Sequence, residues 1–120
     1  MIEFELDKNN SILYVKPKSA LQVEDFAQLS AALDPYLNMQ AHLKGLVVET
    51  LKFPGWKNFN AFIAHMKFIK NHVNKINKIA LVTNSPVANV AEKLGGFFPS
   101  TQIKHFPFDK VTLAKQWIEQ

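Results

Sequence analysis

Cysteine is missing from this chain, and so is arginine: all 14 basic side chains are lysines. The first absence removes disulfides, thiolate nucleophiles and thiolate metal sites. The second weakens a nucleic-acid reading of the formal charge of +4 and the sequence pI of about 9.4. Lysine is a point charge without the planar fork that grips phosphate or a guanine edge at two places. The lysines are also spread along the chain, so a solvated basic surface and no nucleic-acid partner are expected. No apolar run approaches the ~18 residues of a membrane span. Met1-Ile2-Glu3-Phe4-Glu5-Leu6 alternates acidic and apolar residues and lacks the basic-then-apolar layout of a signal peptide, so a cytoplasmic location is expected. No GxSxG elbow, P-loop or GxGxxG run occurs.

What is present is the make-up of one globular domain over residues 1–120, 48% hydrophobic and 20% charged. Ile2, Phe4 and Leu6 alternate with acids, and Ile12 to Val15 follow a turn cluster, which predicts an opening β-hairpin. Val23, Phe26, Ala27, Ser30, Leu33 and Leu37 fall at helical spacing, with Pro35 predicting a kink or an end. Leu46 to Leu51 read as a buried strand that closes on the Phe53-Pro54-Gly55-Trp56 corner and enters a second helix from Phe59 to Val73. Ile79 to Val82 form a further strand. Ser85 caps a short helix through Val87, Val90, Ala91 and Leu94 that stops at Gly95-Gly96. Ile103 to Phe106 make the last strand, and Asp109 caps a final helix with Leu113, Ala114, Trp117 and Ile118. The order ββαβαβαβα predicts an α/β fold with a mixed, mostly parallel sheet of about five strands and flanking helices.

The hairpin, the Leu46-Val47-Val48-Glu49 strand with its Phe53 to Trp56 corner, and Met66-Lys67-Phe68 carry a resemblance across essentially the whole chain. Ile79 to Thr83, His105-Phe106 and Leu113 to Ile118 complete it. The chain resembles the SpoIIAA-like branch of the STAS domains. That resemblance implies a ligand-binding or protein-interaction module rather than an enzyme. It also implies likeness to CRAL-TRIO domains, which carry lipids. Some relatives are switched by phosphorylation of a serine at the start of the second helix. Here Lys52 to Asn58 contains no hydroxyl side chain, so that switch is not expected. The branch often has an acidic residue just before its Leu-Lys-Phe-like triplet, where this chain has His65.

In the second helix, Phe59, Phe62, Ile63, Met66, Ile69 and Val73 form one broad apolar stripe, read as core. Ala61, His65, Phe68 and His72 form a second patch, read either as a pocket wall or dimer face or as a partly exposed flank. His65 and His72 stand ~10 Å apart along a helix, too far for one metal, and His42 and His105 bring no carboxylate cluster, so no metal is expected. No cofactor and no catalytic residue are assigned. Glu49 is the one carboxylate that burial could turn into a base, though a strand-end glutamate usually reaches solvent or a lysine such as Lys52 or Lys78. If the third and fourth strands are neighbours, the aromatic corner and the Phe97-Phe98 loop can approach each other and build an aromatic-walled site. The candidate ligand-binding residues are therefore Phe53, Trp56, Lys57, His65, Phe68, His72, Phe97 and Phe98. An apolar or amphipathic small molecule such as a lipid is the expected ligand, and a protein partner or a homodimer the alternative. The same rings also fit a simpler role, closing the ends of the core.

Overall fold

The computed structural model describes every residue except Val87, Ala88, Val90, Ala91 and Leu94. The short helix expected there falls outside the described residues. Strands β1 (Ile2–Asp7) and β2 (Ile12–Pro17) form the hairpin, with Asp7 Oδ1 accepting from the Asn10 backbone N–H at 3.0 Å in the turn. Helix α1 (Val23–Gln40), β3 (Leu43–Glu49), α2 (Phe59–His72), β4 (Ile76–Val82), β5 (Gln102–Phe106) and α3 (Val111–Glu119) follow. The sheet order is β1-β2-β3-β4-β5, antiparallel at the first pair and parallel at the other three. The expected fold class is the one observed.

Several boundaries move for local reasons. Strand β3 begins at Leu43 and stops at Glu49; Thr50 still donates its backbone N–H to the Val82 carbonyl, and its hydroxyl turns the chain back by donating to the Lys52 carbonyl. Strand β4 starts at Ile76, where Leu43 meets it in register. Helix α1 does not end at Pro35 but continues to Gln40, and its start is fixed by the Asp25 carboxylate accepting from the Gln22 N–H at 2.8 Å. Asp109 does not cap the last helix; Lys110 occupies that position without a side-chain hydrogen bond.

Both faces of the sheet are covered, which explains why β3 reads as nearly continuous apolar sequence. One face packs Leu13 and Val15 against Phe26, Leu29, Leu33 and Leu37 of α1, with Trp56 and Phe68 added from the α2 side. The other packs Ile12, Val47, Ala80 and Val82 against Ala114 and Ile118 of α3. Gly45 sits in the centre of this second face. A methyl group there would overlap the buried Ile118 side chain, so glycine is what lets α3 lie against β3. Gly45→Ala is therefore expected to destabilise the protein by about 1–3 kcal/mol through overpacking, read as a lower urea midpoint at unchanged slope.

Candidate functional site

The loop between β3 and α2 carries the aromatic corner. Gly55, at φ +80, makes the turn that a side chain would resist. The loop is pinned by a short parallel bridge to the β2–α1 connection. In it the Leu21 N–H donates to the Gly55 carbonyl and the Lys57 N–H to the Leu21 carbonyl, each at 2.8 Å. The Asn58 side chain accepts from the Ala61 N–H at 2.9 Å and starts α2. Phe53 and Trp56 meet edge to face at 5.0 Å, and Phe62 meets the indole edge to face at 4.9 Å.

From Trp56 a continuous row of rings runs down the α1–α2 interface. The indole Nε1–H donates to His65 Nδ1 at 3.0 Å, and the His65 ring stacks on Phe26 at 4.8 Å. Phe26 touches Phe68, and Phe68 stacks on His72 at 4.2 Å. His72 is buried, with Nδ1 at 2.7 Å from the Phe68 carbonyl and Nε2 at 2.7 Å from Asp34 Oδ1. Both partners can accept, so whichever ring nitrogen carries a proton donates to the oxygen it faces. His65 meets a donor instead. It accepts at Nδ1, and burial lowers its pKa to about 4, so the ring is neutral.

This geometry exchanges part of the expected roles of the two stripes on α2. Of the stripe expected in the core, Val73 is buried and Phe62, Ile63 and Ile69 are half-buried, while Phe59 and Met66 face out. Ala61 and His72 are the buried positions of the helix, and Ala64 and Phe68 pack on the α1 side of the core. Phe59, expected in the core, is 72% exposed and Met66 is 38% exposed. The Ala61-His65-Phe68-His72 line is interior, with its polar atoms satisfied from α1, from the corner and from the helix's own backbone.

Of the candidate residues, Phe53, Trp56, His65, Phe68 and His72 come together in this row, and Lys57 is exposed at its upper end. Phe97 and Phe98 do not join them. They line an open groove of about 630 Å³ with Met66, Ile69, Val73 and Pro99, and Lys70 stands among its lining residues. The groove is held from below by Thr101, whose buried hydroxyl lies 2.5 and 2.8 Å from the Val73 and Ile76 carbonyl oxygens. The groove pairs residues of the outer stripe with the loop after Gly95-Gly96. Sequence reasoning missed it by assigning that stripe to the core. Glu49 is half-buried at the end of β3, and Lys78, one partner considered for it, donates instead to the Trp117 carbonyl at 2.8 Å. Among the described residues no three histidine or carboxylate side chains gather as metal ligands.

The SpoIIAA-like family model matches residues 12–119. The chain belongs to the SpoIIAA-like family. Its fold is that of a solved structure described as an uncharacterised protein of the DUF3478 family with a SpoIIAA-like fold, from Shewanella loihica PV-4. The TM-score is 0.74 at 18% identity, over 98% of this chain and 92% of that one. No curated protein matches the chain. These findings give family and fold and do not extend to CRAL-TRIO domains.

Two predictions follow from the α1–α2 interface of this SpoIIAA-like domain. Phe68→Ser is expected to cost about 2–4 kcal/mol, whereas Phe59→Ser changes stability by no more than about 0.5 kcal/mol, both read by urea denaturation. His65 makes stability depend on pH. The unfolded chain takes up a proton there near pH 6.5 and the native chain only near pH 4. The contribution is thus complete above about 6.5 and is lost as pH falls toward 4, by up to about 1.4 kcal/mol per pH unit. His65→Gln, which keeps an acceptor for Trp56, should flatten the stability profile in that window; an unchanged slope assigns the effect to other groups.

Proposed function

We propose that this SpoIIAA-like domain is a non-catalytic binding module whose site is the groove between α2 and the Gly95–Ser100 loop. The observation that carries the reading is the apolar lining of that groove, Met66, Ile69, Val73, Phe97, Phe98 and Pro99, with one cation, Lys70, among them. Its volume of about 630 Å³ falls in the ordinary range for small-molecule sites. A chain of methylenes laid along α2 would lose water contact at ~25 cal/mol per Å² while an acidic head group meets the Lys70 ammonium. The aromatic corner has a different job in this reading. Phe53, Trp56, His65, Phe68 and His72 hold the helix at the angle that presents the groove.

The site is tested by titrating dodecanoate and dodecanol calorimetrically. Lys70→Glu should weaken dodecanoate by about fivefold or more and leave dodecanol nearly unchanged, since only the acid uses the cation. Phe97→Ser should weaken both without lowering the melting temperature, because that ring is 78% exposed. If neither compound binds, or if binding ignores both substitutions, the groove is not the site.

A protein partner meeting the same side of α2 is the second reading, favoured by Phe59, whose exposed ring stacks on Phe62 away from the groove. Self-association through Ala61, His65, Phe68 and His72 is not proposed, because that face is occupied by α1. Sedimentation at rising concentration, with Phe59→Ser alongside, reports self-association on the outer face.

A further inference from the structure

The outer side of α2 combines exposed apolar side chains with charge of one sign. Phe59, Ile63, Met66 and Lys70 recur at i, i+4, i+7 and i+11 and share one line along the helix, ~16 Å long. Phe97 stands beside the lower end of that line in the groove wall. Phe97, Phe59 and Met66 are 78%, 72% and 38% exposed. Lys57 and Lys67 border the line and Lys70 ends it; all three are exposed and form no ion pair within 4 Å among the described residues.

The charge around this line is unopposed in the sequence as well. Residues 50–104 hold eight lysines and one acid, Glu92, whose carboxylate already accepts from the His105 backbone N–H at 2.7 Å. Of the other acids, Glu3, Glu5 and Asp7 lie on β1, the edge of the sheet opposite β5, Glu24, Asp25 and Asp34 on α1, Glu49 at the end of β3, and Asp109 and Glu119 at α3. The exposed rings therefore sit on a segment whose own charge is nearly all positive.

An apolar line bordered by lysines along one helix is how a helix lies in a lipid interface. Lysine suits this better than it suits a base edge. Its stem lies on the apolar surface while the ammonium reaches anionic head groups, with no need for a two-point grip. Methionine and isoleucine between the rings give an aliphatic surface matched to acyl chains, not the row of flat faces that single-stranded nucleic acid stacks on.

We propose that this face docks on a bilayer surface containing anionic lipid, with α2 in the plane of the interface and Phe59 and Phe97 among the head groups. The inference rests on the groove reading, to which it adds the source of the apolar ligand.

The test is flotation of the full chain with vesicles of phosphatidylcholine alone and of phosphatidylcholine with about one third phosphatidylglycerol. Binding is expected to the anionic vesicles only and to fall steeply between low and about 0.5 M salt. Phe59→Ser and Phe97→Ser should each lower the partition coefficient by about fivefold or more, as should Lys67→Glu. All three positions are exposed, so melting temperatures should stay near that of the parent.

No binding to anionic vesicles overturns the proposal. So does binding that survives both phenylalanine substitutions, which would be charge attraction without insertion, or an outer face found closed in a dimer by sedimentation. Free dodecanoate binding without vesicle binding would remove this inference and leave the groove reading standing; vesicle binding without uptake of free ligand would do the reverse.

Discussion

An indole half withdrawn from water has one N–H to satisfy, and here it is satisfied by Nδ1 of His65. That single bond fixes the roll of α2. It holds the His65 side of the helix at the corner, where the ring stacks on Phe26 of α1, and Phe68 and His72 meet α1 at the next turns of the same face. Each histidine then finds its polar partner within the interface, one in the indole, the other in Asp34 and the Phe68 carbonyl. Ala61, wholly buried, and Ala64 supply the small side chains that let the two helices approach. A helix whose inner face is built from alanine, histidine and one phenylalanine must carry its remaining large apolar residues elsewhere.

The rest of the domain is arranged so that this roll is affordable. The sheet buries its other face against α3, where Gly45 and Ile118 come into close contact, and α1 contributes four large apolar side chains to the first face. The core therefore does not need Phe59, Met66 or Phe97. The corner is anchored from two sides, by the Leu21 bridge on the β2–α1 connection and by the Asn58 cap at the start of α2. Trp56 is thus placed by backbone hydrogen bonds on either side of it as well as by the rings packed on it.

The fold was legible because its signals are local. Alternation marks β1, the Pro-Gly corner marks the end of β3, and the order of strands and helices leaves few sheet arrangements to consider. The family resemblance rested on the same landmarks. The site was not legible because α2 carries two stripes with equally good helical spacing. Ranking them by hydrophobicity put Phe59, Ile63 and Met66 inside. The true choice was made by Trp56, Asp34 and Phe26, partners that periodicity along α2 does not register. The distribution of acids was a usable signal that the even spread of lysines hid: between residues 50 and 104 only Glu92 is acidic. A second was Lys70, which falls on the same line as Phe59 and Met66.

Lys70 also shows why the outer face is not a packing defect. Turning α2 by half a turn would bury Phe59, Ile63 and Met66, but it would carry Lys70 into the core with them and strand the indole N–H and both imidazoles. An unpaired buried ammonium costs several kcal/mol, the same order that burying three apolar side chains returns. The sequence thus opposes the alternative roll by a charge placed at the end of an apolar line, and the same charge is what an anionic head group would meet. Exposed Phe59 and Met66 follow from satisfying Trp56 inside and keeping Lys70 outside. A groove lined by six apolar residues with Asn74 and Ser100, holding one cation, is the surface that remains when both constraints are met.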